Sequence, residues 1–151
     1  MLTKNIIKET SMELTDKLYD EITFLCSEGD KLVDNSEFDE ALVEYRKALN
    51  LLPKPAEQWE AAVWIYTAIG DTYFYKKEYE AAIKFLFNAY NCPDGFSNPF
   101  INLRIGECFF ELNNSDRATE YLLRAYMMKG KEIFEAEEEK YFKHLSSCVK
   151  L

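Results

Sequence analysis

One spacing recurs three times along the chain, and it constrains the fold more than any other feature. A glycine is followed by an alanine twelve residues later and by another alanine nineteen residues later. The three sets are Gly29, Ala41 and Ala48; Gly70, Ala82 and Ala89; and Gly106, Ala118 and Ala125. The glycines are 41 and 36 residues apart, from position 29 to 70 to 106. A period of this length is typical of stacked supersecondary units that bury their apolar faces against one another.

Each unit has the pattern of two helices joined by a short turn. Apolar residues before the first glycine recur with the helical period, at Leu14, Leu18, Ile22 and Leu25. Asn35-Ser36 and Asn113-Asn114 interrupt two of the units between the glycine and its first alanine. Residues Thr10 to Glu13 have the pattern of a capping box, which predicts that the first helix starts there.

The small residues of each set mark positions where two helices must come close. A side chain larger than a methyl group would force such helices apart. In the middle set, we expect Gly70 and Ala82 to lie at the close approach inside one unit. Ala89 is expected to contact the next unit, while the many aromatic side chains fill the wider spaces.

The residues around these sets resemble the tetratricopeptide repeat. The middle unit contains Tyr66-x2-Ile69-Gly70-x2-Tyr73, followed by Ala82-x3-Leu86. The first unit contains Gly29-x2-Leu32, Ala41-x3-Tyr45, Ala48 and Pro53, and the third contains Ile105-Gly106-x2-Phe109, Ala118-x3-Leu122 and Ala125. The resemblance covers about residues 22–129. It implies an all-α fold, a right-handed superhelix of three helix-turn-helix repeats followed by a C-terminal capping helix.

The domain boundaries follow from this resemblance. We expect a flexible N-terminus at 1–12 and a single domain at 13–151, with repeats at about 22–55, 56–96 and 99–130. The long first spacing predicts one continuous helix from about Pro55 to Lys76, with Trp59 joining its buried seam. Gly130 is expected to cap a helix, and the capping helix spans 131–149.

The capping helix is expected to pack against the third repeat with one face and to meet water with the other. The residues expected to pack back are Ile133, Tyr141, Phe142, Leu145 and Val149. The residues expected to face water are Glu135, Glu137, Glu138 and Glu139.

Charge and composition exclude several classes of function. The net charge of −9 argues against nucleic-acid binding, which needs Lys and Arg for phosphate contacts. The segment from Glu13 to Glu40 has ten acidic residues and two lysines, a local charge of −8. No catalytic set, metal-ligand spacing, cofactor motif or run of 18 apolar residues stands out, which predicts no enzyme, no metal, no cofactor and no membrane span. Four scattered cysteines and no signal core predict a cytoplasmic protein with reduced thiols.

The resemblance also implies that the first helix of each repeat lines a concave groove that binds a peptide or protein segment. An acid directly follows each key glycine, at Asp30, Asp71 and Glu107. Carboxylates flanked by aromatics favour a basic protein partner. The candidate partner-binding residues are Asp30, Asp34, Trp64, Asp71, Phe74, Tyr75, Phe100, Glu107, Phe110 and Glu111. A groove that grips acidic chaperone tails needs Lys and Arg on this face, and the sequence predicts almost none.

Three roles as a protein-interaction module remain open at this point. Small stand-alone bacterial repeat proteins of this kind resemble immunity proteins, and an acidic inhibitor suits a basic toxin domain. The alternatives are a chaperone similar to those of type III secretion, or a generic scaffold or regulatory subunit. The oligomeric state is not predicted.

Overall fold

The computed structural model describes residues 14–151, and every regular element in that range is helical. The seven α-helices of this range are α1 (Asp16–Asp34), α2 (Phe38–Leu51), α3 (Glu60–Tyr75), α4 (Tyr79–Tyr90), α5 (Pro99–Glu111), α6 (Ser115–Lys129) and α7 (Glu139–Cys148). Three short 3-10 helices lie at Ala56–Gln58, Gly95–Ser97 and Lys131–Phe134. The predicted all-α class is confirmed. The predictions for residues 1–12 and for the capping box at Thr10 to Glu13 lie outside the described residues.

The helices pack as successive pairs. Within each repeat α1 packs on α2, α3 on α4 and α5 on α6, and each pair then packs on the next. The turn inside each pair places one residue at positive φ, seven positions after the key glycine. These residues are Ser36 (φ 59°), Lys77 (φ 62°) and Asn113 (φ 62°). The same backbone turn therefore recurs at the same position of all three repeats, including the breaks predicted at Asn35-Ser36 and Asn113-Asn114.

The close approach predicted at Gly70 is confirmed. A Cβ atom built on Gly70 would lie 2.7 Å from Leu86 Cγ and 3.2 Å from the Ala82 carbonyl oxygen. The equivalent atom on Gly106 would lie 2.8 Å from Leu122 Cγ, and that on Gly29 would lie 2.5 Å from the Tyr45 ring. The six alanines of the three sets are all fully buried. The glycine thus makes room for the large side chain sixteen residues later on the second helix.

One predicted helix start differs from the structure. The helix expected from Pro55 to Lys76 is wrong, because Trp59 has an extended backbone (φ −96°, ψ 136°) that separates the 3-10 turn from α3. The Trp59 indole N–H donates to the Pro53 carbonyl at 2.7 Å, which fixes the ring in the core and the chain in that bend. The first described helix starts at Asp16, because the Thr15 hydroxyl accepts from the Leu18 N–H.

The C-terminal cap is built from two elements. The continuous helix predicted at 131–149 is wrong: Gly130, at φ 74°, ends α6, a 3-10 turn follows, and α7 starts only at Glu139. The residues that pack against the third repeat include the five expected ones, with Phe134 in addition. Glu137 does not face water as expected, because its carboxylate is drawn inward to Arg104.

His144 fastens α7 to α6. Its Nε2 lies 3.0 Å from Thr119 Oγ1, and the Thr119 hydroxyl donates its own proton to the Ser115 carbonyl. With the Thr119 proton directed to Ser115, the contact with His144 is made by the tautomer that has its proton on Nε2. The imidazole ring also packs edge-on against Phe110, at 5.3 Å between ring centres.

Candidate functional site

The first helices of neighbouring repeats enclose two clefts. The first cleft lies between α1 and α3 and has a volume of about 240 Å³. Its lining residues are Asp30, Val33, Asp34, Tyr45, Ala68, Asp71, Thr72 and Tyr75. The second cleft lies between α3 and α5, beneath the chain that joins the 3-10 turn to α7. Its lining residues are Phe74, Tyr75, Lys77, Tyr79, Arg104, Ala136, Glu137, Glu138 and Tyr141.

Arg104 is at the centre of the second cleft, with only 4% of its side chain exposed. Its Nε lies 2.7 Å from Asp71 Oδ1 on α3. Its Nη1 lies 2.7 Å from Glu107 Oε1 on α5 and 2.6 Å from Glu137 Oε1 in the capping segment. One guanidinium therefore ties together two repeats and the cap.

Aromatic rings cover the faces of this guanidinium. The Arg104 Cζ atom lies 4.2 Å from the centre of the Phe74 ring and 4.8 Å from that of Phe100. Tyr75 lies further away, at 5.6 Å. Three of the predicted aromatic site residues thus surround the protein's own arginine, which is the contact that the sequence predicted for a partner's cation.

Burial controls the charges in the second cleft. It raises the pKa of Glu107 to about 9, against the opposing attraction of Arg104. Burial also raises the pKa of Asp71, although Arg104 again acts to lower it. For Arg104, burial acts to lower the pKa, but Asp71, Glu107 and Glu137 together outweigh it and keep the guanidinium charged. At neutral pH the raised pKa therefore keeps Glu107 in its neutral carboxylic-acid form.

The first cleft has no such internal cation. Asp30 accepts a hydrogen bond from the Tyr45 hydroxyl at 2.6 Å, through its Oδ1 atom. Burial, followed by this bond to Asp30, raises the pKa of Tyr45. Asp34 is exposed one helical turn further along α1. Tyr75 is 46% exposed and stacks on Phe38, with 6.1 Å between ring centres.

The ten candidate residues fall into separate groups. Asp30, Asp34, Asp71 and Tyr75 meet at the first cleft. Phe74, Phe100 and Glu107 belong to the surroundings of Arg104, and Glu107 is completely buried. Glu111 accepts from the Tyr141 hydroxyl and pairs with Lys140, beside Phe110. Trp64 packs edge-on against Tyr19, with 6.4 Å between ring centres.

Three residues that organise the site were not among the candidates. Arg104 contradicts the expectation that this face has almost no Lys or Arg, although its charge is already taken by three carboxylates. Its signal in the sequence is its place two residues before Gly106, inside the apolar helix α5. Tyr45 could be found as the aromatic that replaces the Leu86 and Leu122 of the other repeats. Nothing in the sequence identifies Glu137 as a site residue, because the bend that turns it inward is irregular.

Other kinds of site are not found in the described range. Residues 14–151 contain no group of three His, Cys, Asp or Glu side chains placed to hold a metal ion. In the same range, no helix is long and apolar enough to cross a membrane. All four cysteines are free, and Cys148 Sγ lies 3.9 Å from the His144 nitrogen that already donates to Thr119.

Comparison with known proteins agrees with the geometry. The profile of the tetratricopeptide repeat matches residues 65–86, which span most of α3 and the first two thirds of α4. The chain resembles the first TPR of Spaghetti (RPAP3) bound to the HSP90 peptide SRMEEVD. Identity is 17%, coverage is 85% of this chain and 90% of that chain, and the TM-score is 0.66. The fold is a tetratricopeptide-repeat superhelix.

Two further solved structures have the same fold. One is the N-terminal domain of stress-induced protein-1 (STI-1) from C. elegans. Identity is 16%, the match covers 88% of this chain and 98% of that chain, and the TM-score is 0.66. Another is the Yersinia enterocolitica type III secretion chaperone SycD in complex with a peptide of the translocator YopD. Identity to this structure is 14%, the match covers 85% of this chain and 92% of that chain, and the TM-score is 0.68. No curated protein matches the chain by sequence.

Proposed function

We propose that this protein is a non-catalytic interaction module that binds a basic protein partner at the first cleft. The observation that carries this proposal is the pair of exposed carboxylates, Asp30 and Asp34, which line an open space together with Asp71, beside the exposed ring of Tyr75. Carboxylates attract Lys and Arg, and an aromatic face adds a cation–π contact.

The charge of the molecule supports a basic partner. The segment from Glu13 to Glu40, which contains α1, has a local charge of −8. Such a field accelerates the approach of a positively charged partner and orients it toward α1. Because the second cleft already holds Arg104, the proposed binding surface is centred on the first and second repeats. Trp64 extends that surface. The other five candidate residues lie beneath or beside it and have a structural role: Phe74, Phe100, Glu107, Phe110 and Glu111.

The partner that we propose first is a basic folded domain, with this protein acting as its inhibitor in the manner of a bacterial immunity protein. Neutralisation needs only a tight and rapidly formed contact, which an acidic surface provides against a basic one. Cytoplasmic location belongs to the same proposal.

A chaperone role is the second candidate. It is favoured by the likeness to SycD, whose structure contains a peptide of the protein YopD. The RPAP3 domain likewise has a bound peptide. A chaperone would hold an extended and unfolded segment, whereas an inhibitor would hold a folded domain. A scaffold would instead join two partners at once.

Capture from the native host with three baits tests the proposal. The baits are the wild-type protein, the variant D30N/D34N, and the charge-matched control E135Q/E139Q, whose substitutions lie on exposed residues of the capping segment. We expect one basic protein to be captured by wild type and control and to be lost from D30N/D34N. Equal capture by all three baits would contradict the first cleft as the binding site.

A growth assay then separates the two roles. Co-expression of the captured protein with this chain should restore growth if the partner is toxic, and D30N/D34N should not restore it. If the partner is harmless and is bound only while unfolded, as judged with refolded and denatured partner, the chaperone role replaces the inhibitor.

A further inference from the structure

The two clefts are equivalent in the repeat pattern. The residue directly after each key glycine is acidic, at Asp30, Asp71 and Glu107. Each cleft is therefore flanked by two such acids, one from each of its helices. The position two residues before the glycine differs, because it is Arg104 on α5 but Ala68 on α3.

The second cleft shows how this geometry accepts a guanidinium. Arg104 extends between the two acids of its cleft, with contacts of 2.7 Å to both Asp71 and Glu107. The ring of Phe74 covers one region of the guanidinium at 4.2 Å. The protein thus provides an internal example of an arginine held between two acidic side chains from adjacent repeats.

Within the described range, the first cleft is lined by Asp30, Asp34 and Asp71 and by no cationic side chain, although Asp71 also pairs with Arg104. Ala68 has only a methyl group where Arg104 has its long side chain, and the cleft beside it has a volume of about 240 Å³, against about 220 Å³ for the second cleft. Asp30 and Asp71 each use Oδ1 for their internal contacts, to Tyr45 and Arg104 respectively. Asp30 is nevertheless exposed at the mouth of the cleft, and the exposed Asp34 adds a third carboxylate at the rim.

We propose that the first cleft is a pocket for one arginine side chain of the partner, whose guanidinium takes the place that Arg104 takes in the second cleft. This inference rests on the proposed function and names the chemical group that the partner inserts. Arginine fits better than lysine, because a planar fork of donors can reach two carboxylates on opposite walls and lie against the ring of Tyr75. Lysine would satisfy these acceptors only as a point charge.

Filling the pocket from within is the first test. In the variant Ala68→Arg, we expect the new side chain to enter the cleft and contact Asp30, whereas Ala68→Met adds similar bulk without charge. The midpoint of thermal unfolding, Tm, should be about 2–4 °C higher for Ala68→Arg than for Ala68→Met. This difference should vanish when both variants also contain Asp30→Asn. A Tm of Ala68→Arg that is no higher, or a difference that persists without Asp30, would overturn the pocket.

Binding of a small probe is the second test, and it does not require any variant at position 68 to fold. N-acetyl-arginine methylamide is titrated into the isotope-labelled wild-type protein, with N-acetyl-norleucine methylamide as the apolar control. We expect saturable amide shifts at Asp30, Ala68 and Asp71 with the arginine probe alone. Affinity should fall about fivefold in D30N/D34N and stay unchanged in E135Q/E139Q. Equal shifts with both probes, or shifts away from the cleft, would overturn the proposal.

The two proposals fail in different ways. If the arginine probe binds but no basic protein is captured from the host, the pocket stands and the proposed function fails. If a basic protein is captured equally by wild type and by folded Ala68→Arg, the function stands and the pocket proposal fails. Loss of capture in Ala68→Arg together with retention in Ala68→Met supports both.

Discussion

The first and second clefts differ in one decisive side chain. Both lie between the first helices of adjacent repeats, and both have an acid directly after the key glycine on each wall. Arg104 lies between the two acids of the second cleft, whereas the equivalent position beside the first cleft is Ala68. The same repeat geometry therefore serves as a structural joint in one place and as an accessible acidic surface in the other.

The difference also separates two uses of charge. Inside the second cleft, the acidic side chains are buried away from water. The cost of this burial is limited because Arg104 compensates the negative charge and Glu107 keeps its proton. Around the first cleft, Asp30 and Asp34 remain in contact with water, so their charge is available for a partner at little cost to the fold. Four predictions test this contrast, beginning with the largest expected effect.

Removal of Arg104 should destabilise the second cleft. In Arg104→Ala, the carboxylates of Asp71 and Glu137 would remain partly buried without their cation, at an expected cost of about 3–5 kcal/mol in the free energy of unfolding. Urea unfolding measures this cost. The control is Arg124→Ala, whose side chain is 39% exposed and which should lose less than about 1 kcal/mol. Similar losses in both variants would contradict a special role of the second cleft.

Glu107→Gln should change how stability depends on pH. The pKa of Glu107 is about 9 in the folded protein and 4.5 as the ordinary reference value. Its stabilising contribution is therefore complete below about pH 4.5 and is lost as the pH rises toward 9. Between these limits the loss is at most about 1.4 kcal/mol for each pH unit.

The amide that this substitution introduces replaces the protonated acid and does not titrate. The variant should therefore gain stability relative to wild type as the pH is raised from 6 to 8, by roughly 2–3 kcal/mol at most. Chemical unfolding at several pH values measures this gain. Parallel stability curves for the two proteins would show that Glu107 is ionised in the fold.

Leucine at two alanine positions compares the closed interior with the open cleft. Ala82 is completely buried beside Gly70, so Ala82→Leu should overpack the helix crossing and cost about 1–3 kcal/mol. Ala68 borders the open first cleft, so Ala68→Leu should cost less than about 1 kcal/mol. Thermal unfolding of both variants measures the difference, and unchanged stability of Ala82→Leu would contradict the close packing at this crossing.

Neutralising the open cleft should have the smallest effect on stability. In D30N/D34N, the amide oxygen at position 30 can still accept from Tyr45, so the free energy of unfolding should change by about 0.5 kcal/mol or less. Capture of the basic partner should nevertheless be lost. Far-ultraviolet circular dichroism through the unfolding transition measures the stability. A large destabilisation would mean that these acids support the fold instead of a partner.

The regular part of the fold could be predicted from the sequence, because helix pairs follow a repeated pattern. Gly70, Ala82 and Ala89 identify the packing, since each is small where the structure allows no more space. The exceptions are irregular segments. The hydrogen bond from Trp59 to Pro53 interrupts the helix that periodicity predicts, and the bend after Phe134 divides the cap. Such bends depend on single tertiary contacts that no periodic pattern encodes.

The site could be predicted only in part, for a related reason. The acids after the glycines identify the walls of both clefts, but they do not reveal which cleft is already occupied. That depends on Arg104 and on Glu137, which arrives from a distant and irregular segment. Three carboxylates that look like one surface in the sequence therefore divide into an occupied set and an available one.

The bond between His144 and Thr119 has a practical consequence. His144 is the one histidine in the chain, so its ring gives a single, unambiguous set of imidazole signals in an NMR spectrum. The Nε2 proton is held by Thr119 only while α7 rests on α6. Its resonance, visible at low temperature when exchange with water is slow, is therefore a label-free reporter of cap detachment that needs no engineered probe.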